Sequence, residues 1–185
     1  MITIRKYEEK DSENVKFACL NAEGYNSITD DETAQLVLHT FCEYYIEREP
    51  ENCFVVDDDG RAVGFIISSE KFESYKKALH EEYCEKNKYL GEERYNWSLE
   101  STELPEKYKD EYPVHFHINI LPEYQRVGAG GMLLKALFNH YKEKGVNGLM
   151  LCCNNENEVG LNFYKKYGFK VLEETKYDVA FGIKL

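Results

Sequence analysis

The order of apolar segments predicts a mixed α/β fold built on one sheet. Three observations carry this. Seven short runs rich in β-forming residues are spread along the whole chain. Segments with helical apolar spacing lie between several of them. At the centre, a strong strand-like run, Val114-His-Phe-His-Ile-Asn-Ile-Leu121, leads through a glycine-containing turn into an amphipathic segment.

The elements follow in chain order. Ile2 to Tyr7 alternates apolar and polar residues and predicts a strand. Asp11 or Ser12 can cap a helix carrying Val15, Phe17, Ala18 and Leu20. Residues 21–29, with Gly24, read as a loop. Thr29 and Asp30 can cap a second, longer helix with Leu36, Val37, Phe41, Tyr44 and Tyr45 on its apolar stripe, ended by Pro50. Cys53 to Val56 and Arg61 to Ser69 form a hairpin around Asp57-Asp58-Asp59-Gly60, where Gly60 supplies a positive φ. The three aspartates lack the later ligands and closing Glu of a calcium loop, so they read as a turn.

Residues 70–112 interrupt this rhythm. Phe72, Tyr75, Leu79 and Tyr83 recur at helical spacing and predict a helix at about 71–87. Residues 88–112 read as irregular, with a short helical turn near Pro105 to Tyr108. The aromatics of this insertion fit packing more readily than binding, although an aromatic-rich insertion beside a cofactor strand also suits a substrate lid. Beyond it, the helix after Gly130 ends near Gly145. Gly148 to Cys153 is a buried strand, Glu158 to Tyr167 a helix, and Lys170 to Lys176 and Asp178 to Leu185 two closing strands.

The bulk numbers narrow the function classes. The 185 residues suit one domain over 1–185 with an insertion at about 70–112. A net charge of −11, from 34 acids and 23 bases, argues against nucleic-acid binding. It is compatible with an amine or cationic substrate, or with nothing more than a solvated surface. The six cysteines show no CxxC pair and no metal-ligand spacing, so reduced and mostly buried thiols, with no metal, are expected. The N-terminal residues MITIRKYEEKD have no apolar signal region, and no stretch approaches the roughly 20 apolar residues that span a bilayer. A cytoplasmic protein without a membrane partner is the expectation.

Chemistry concentrates in two places. Gln125-Arg-Val-Gly-Ala-Gly130 lies between strand and helix, where unpaired N–H groups converge at the positive end of a helix. That arrangement suits a phosphate or pyrophosphate. Gly128 and Gly130 lack a Cβ, so an anion can approach the backbone closely. The second place is Asn157-Glu-Val-Gly160-Leu-Asn-Phe-Tyr164-Lys-Lys-Tyr-Gly168-Phe169, with Asn157 and Tyr164 about two helical turns apart and so able to face one side.

These residues resemble the coenzyme-A-binding half of the GNAT N-acetyltransferase superfamily. Gln125, Gly128 and Gly130 match its first motif, and Asn157, Gly160, Tyr164, Gly168 and Phe169 its second. The resemblance is specific over residues 114–169 and rests on element order alone in the N-terminal half. The run Tyr112-Pro-Val-His-Phe-His-Ile-Asn-Ile-Leu-Pro122-Glu-Tyr-Gln is also similar to bacterial GNAT proteins akin to the acetyltransferase-like domain of O-GlcNAcase enzymes. The resemblance implies the GNAT fold: a central mixed, mostly antiparallel twisted sheet of about seven strands, flanked by about four helices and a partly helical insertion.

It also implies acetyl-CoA as acyl donor and an amine as acceptor; many relatives are homodimers, and the oligomeric state of this chain stays open. The backbone of Gln125, Arg126, Val127, Gly128, Ala129, Gly130 and Gly131 would hold the pyrophosphate. The strand backbone at Ile120 and Leu121 would pair with the pantetheine arm, and Asn157 would contact that arm. Tyr164 would protonate the departing thiolate. His115 and His117 share one strand face with Asn119, and His117 is the favoured base. A water chain ending on an acidic residue would serve equally. A bulge, usual in the fourth strand of the superfamily, leaves open which histidine faces the cleft. Two functions compete: an N-acetyltransferase, and a non-catalytic CoA-binding module. A Rossmann-type nucleotide binder fits poorly, because the loop is mid-chain and lacks the GxGxxG spacing.

Overall fold

In the computed structural model, which describes residues 1–22 and 30–185, seven strands form one sheet in the order β1-β2-β3-β4-β5-β7-β6. They are β1 (Thr3–Lys6), β2 (Phe54–Asp58), β3 (Arg61–Ser69), β4 (Val114–Ile120), β5 (Gly148–Asn154), β6 (Lys170–Glu174) and β7 (Asp178–Lys184). All neighbouring pairs are antiparallel except β4 with β5. The expected loop residue Gly24 and capping residue Thr29 lie outside the described residues.

The two N-terminal strands arise as expected. β2 and β3 close through Asp59 and Gly60, both with positive φ, and the Asp57 carboxylate accepts the Gly60 N–H at 3.0 Å. Asp57 also accepts from Arg5, and Asp58 accepts from the Tyr124 hydroxyl. Among the described residues no cluster of three or more His, Cys, Asp or Glu side chains could hold a metal ion.

Helix α1 (Ser12–Asn21) buries Val15, Ala18 and Cys19, and α2 (Asp31–Phe41) is capped by Asp30, which accepts the Thr33 N–H at 2.8 Å. The single long helix expected up to Pro50 is in fact two. At Cys42 the backbone leaves the helical region (φ −131°, ψ −60°), and α3 (Glu43–Arg48) starts in a new direction. The break turns Tyr44 and Tyr45 into the sheet, where both are buried. A stripe of uninterrupted apolar spacing gives no hint of such a kink.

The insertion is more helical than its sequence suggests. Helix α4 (Phe72–Ala78) continues as a wider π turn over Leu79–Tyr83 and as 3₁₀ turns over Cys84–Leu90. Residues read as irregular then form α5 (Glu92–Glu100) and α6 (Glu103–Tyr108). Polar contacts tie this layer down on two sides. The Tyr83 hydroxyl donates to Glu47 at 2.7 Å, His39 bonds Asn87 at 2.7 Å, and the Tyr108 hydroxyl donates to Glu173 of β6 at 2.8 Å.

Helix α7 (Ala129–Glu143) covers the other face of the sheet, burying Leu133, Leu134, Leu137 and Tyr141 against its first strands. Helix α8 (Glu158–Lys166) follows β5. All six cysteines are free thiols, five of them buried. Among the described residues, no helix is long and apolar enough to cross a membrane.

Candidate active site

The site begins where the sheet opens. β4 and β5 pair at Val114↔Leu149 and His115↔Met150, and beyond that point they part. On its other side β4 keeps an unbroken register with β3, from Ser69↔His115 to Gly64↔Ile120. The bulge that the family resemblance implied does not interrupt it. Alternation therefore holds: His115, His117 and Asn119 share one face, and Phe116, Ile118 and Ile120 the other.

The same register decides which backbone groups are free. The Leu121 N–H donates to Val63 O at 3.0 Å, and the Leu121 carbonyl accepts from Tyr124 N–H at 2.9 Å. Both polar groups of Leu121 thus have partners within the fold, which makes it a poorer partner for a ligand arm than its expected companion Ile120, whose N–H faces away from β3. Alternation turns the N–H and C=O of Ile118 and Ile120 towards the open edge. Ile120 O there accepts the Gln125 side-chain amide at 2.9 Å. Gln125 therefore pins the following loop to the end of β4, a structural task for a side chain expected to matter mainly through its backbone.

The loop itself is wound to the left twice. Arg126 has φ 61° and Gly128 φ 93°, and α7 begins directly afterwards. Met132 N–H is the first to find a carbonyl four residues back, Gly128 O at 3.1 Å. The amides ahead of it, from Ala129 to Gly131, belong to the unpaired first turn of a 15-residue helix. Val127 is exposed at the tip of the loop. Gly130 and Gly131 serve a different purpose from Gly128. A Cβ on Gly130 would stand 2.9 Å from the Phe163 ring, and one on Gly131 2.0 Å from the Tyr167 hydroxyl. Their smallness lets α8 lie against the start of α7.

Between β4, β5, α8 and the insertion lies a cleft of about 840 Å³. His115, His117, Asn157 and Tyr164 all line it, whereas the glycine loop stands outside it beyond the end of β4. Asn157 caps α8: its Oδ1 accepts Gly160 N–H at 2.8 Å, leaving Nδ2 for other partners. Tyr164 is buried among Phe163, Phe169 and Phe181, with ring centroids 5.4–5.7 Å away.

The opposite wall holds features the sequence did not reveal. The Tyr45 hydroxyl lies 3.0 Å from Nε2 of His115 and 3.0 Å from Nε2 of His117. Burial pushes the His115 imidazole down to about 3, helped by neighbouring His117, and the His117 imidazole down to about 4. Phe41 packs edge-on against both His117 (5.4 Å) and Trp97 of the insertion (5.5 Å). Glu100, Glu156, Glu158 and Asp178 also line the cleft, while no Lys or Arg does among the described lining residues. Burial raises the Asp178 carboxyl above its ordinary range. It also pushes the cleft thiols Cys152 and Cys153 up to about 12 and about 11, so neither is a ready nucleophile.

Comparison with known proteins agrees with this geometry. The model of the acetyltransferase (GNAT) family matches residues 19–169. The chain belongs to that family. The GNAT chain is 33% identical over 69 residues to YjcF, an uncharacterized N-acetyltransferase of Bacillus subtilis (strain 168). That match covers 37% of the chain and spans about half, 47%, of the length of the relative. Among solved structures, SsHAT superposes with a TM-score of 0.85 at 22% identity, covering 99% of this GNAT chain and 98% of its own. The PaiA N-acetyltransferase of Thermoplasma acidophilum, solved with coenzyme A, gives 0.65 at 19% identity, covering 100% and 99%. The polyamine N-acetyltransferase of Drosophila melanogaster gives 0.68 at 14% identity, covering 100% of each. These likenesses confirm the fold: a mixed, mostly antiparallel seven-stranded sheet with one parallel pair, flanked by helices.

Proposed function

We propose that this GNAT protein moves an acetyl group from acetyl-CoA to the amine of a small molecule or peptide by direct transfer. One observation carries the reading: the parting of β4 from β5 leaves an open strand edge that ends at a left-handed loop on a helix N-terminus. An extended arm suits such an edge and a diphosphate suits such a loop.

The residues divide the work as follows. N–H groups of Arg126 to Gly131 would hold the diphosphate, with Gln125 keeping their loop in place. Ile118 and Ile120 would pair with the pantetheine arm, and Asn157 Nδ2 would bond it. Acetyl-CoA supplies the activated thioester. Tyr164 would protonate the departing thiolate, and His117 would take the proton of the acceptor nitrogen. The lowered His117 value leaves its imidazole unprotonated at neutral pH and so able to accept. Desolvation makes it a weak base as well, so positioning must supply much of the rate.

The acidic lining favours an acceptor with a second positive charge. Structures similar in fold act on such molecules: the Drosophila enzyme forms N-acetylagmatine, and another is an agmatine N-acetyltransferase. The test is CoA thiol release from acetyl-CoA with a panel of mono-, di- and polyamines, run beside titration of acetyl-CoA alone. Amine-dependent release supports the reading. Binding without release would leave a CoA-binding module, and no binding would overturn both.

A further inference from the structure

We propose that Tyr45 is a positioning residue that holds His117 with its proton on Nε2, so that Nδ1 keeps the lone pair presented to the cleft. The proposal rests on the reading above that His117 takes the acceptor's proton.

The geometry is specific. Tyr45 is wholly buried on α3, and its single hydroxyl is 3.0 Å from Nε2 of both His115 and His117. The two histidines are brought to it by the unbroken alternation of β4. A phenol has one hydrogen but two lone pairs. It can donate to at most one imidazole, so at least one of the two must donate its own Nε2–H to the phenol oxygen; the Tyr45 hydroxyl also hydrogen-bonds Tyr75, and where the phenol donates there both imidazoles donate to it. The hydroxyl therefore restricts the tautomers that the two histidines can take together. His115 is the inner, buried member, its ring 4.2 Å from that of Tyr75. Both line the cleft, and His117 is the less buried of the two.

Only one order lets His117 work. If Tyr45 donated to His117, the imidazole would carry its proton on Nδ1 and offer the cleft no lone pair. If His117 donates to Tyr45, Nδ1 is free. The N–H bond of the acceptor nitrogen then breaks, its electron pair stays on nitrogen, and a new Nδ1–H bond forms on His117. The resulting imidazolium still donates Nε2–H to Tyr45, so that bond needs no rearrangement as charge develops. Sequence spacing could not show this, since Tyr45 reads as one more core residue of an apolar stripe.

The experiment combines two readouts on the full chain. Nitrogen-15 NMR of histidine-labelled protein at neutral pH reports which nitrogen of His117 is protonated. Wild type is expected to show Nε2–H, and Tyr45→Phe, which keeps the ring, a mixture of tautomers. In the thiol-release assay Tyr45→Phe should lower kcat by about 10- to 100-fold with KM for acetyl-CoA unchanged, a part of what a positioned general base contributes. Added to His117→Ala it should cost nothing further. Its acid limb should also move. Other titratable groups that line the cleft with the pair are Cys19 (α1), Tyr75 (α4), Glu100 (α5), Cys152 and Cys153 (β5), Glu156, Glu158 and Tyr164 (α8 and the turn before it), and Tyr177 and Asp178 at the start of β7. They are unchanged in Tyr45→Phe, so the difference between the two profiles isolates the tyrosine.

Wild-type His117 protonated on Nδ1 would overturn the proposal. So would a Tyr45→Phe protein with the tautomer and kcat unaltered. If wild type released no CoA with any amine, the function reading would fail while the spectrum still decided the tautomer. Should Tyr45→Phe not fold, the wild-type spectrum by itself distinguishes Nε2–H, which supports the proposal, from Nδ1–H, which overturns it.

Discussion

His115 and His117 give the fold a pH signature. Folded, they sit at about 3 and about 4, against an ordinary value of 6.5. The unfolded chain therefore binds more protons between about pH 6.5 and the folded values. Stability should fall as pH falls through that window, by at most ~1.4 kcal/mol per pH unit for each histidine. Urea midpoints between pH 4 and 7 measure it. His115→Gln should show a shallower slope than wild type; an identical slope would mean the ring is not desolvated. Tyr164 makes a second prediction at this scale. Tyr164→Phe should lower kcat by roughly 10²-fold or more while acetyl-CoA binding stays within a few-fold, because only the proton donor is removed.

Among the elements, the glycine loop was legible because its geometry depends on residues without a Cβ. Gly128 at φ 93° is the clearest case. Gly128→Ala should strain the backbone by about 1–2 kcal/mol and weaken acetyl-CoA binding, read by calorimetry. Gly148 of β5 marks a different constraint. A Cβ there would stand 2.5 Å from the backbone oxygen of Glu111, which cannot swing away as a side chain can. Gly148→Ala is expected to lower stability by about 1–3 kcal/mol, measured by urea denaturation. The elements that escaped prediction have physical reasons. In α5 the apolar residues Tyr95, Trp97 and Leu99 alternate as they would in a strand, and Ser98 is the buried residue, so no helical stripe exists to be read. The kink at Cys42 accompanies burial of Tyr44, Tyr45 and Ile46 of α3 and is invisible in an apolar run.

At the scale of the molecule, the order of strands and helices was written in periodicity, and the proposed donor half of the site in two local motifs. The acceptor half was not. Trp97 and Glu100 of α5, Asp178 of β7 and, behind the two histidines, Tyr45 of α3 come from three distant segments and meet only when the insertion closes over the sheet. A net charge of −11 with carboxylates in the cleft predicts that KM for a dicationic acceptor rises with ionic strength, while KM for a monoamine changes less. Equal salt dependence for the two would remove the acidic wall from substrate choice. Acetyl transfer itself is best tested by a thiol-release assay with acetyl-CoA and a diamine, on wild type and Tyr164→Phe in parallel. Amine-dependent CoA formation is expected in wild type and should be sharply reduced in the variant, although both bind acetyl-CoA alike. Failure of the folded wild-type protein to bind acetyl-CoA at all would be incompatible with a donor site at the end of β4.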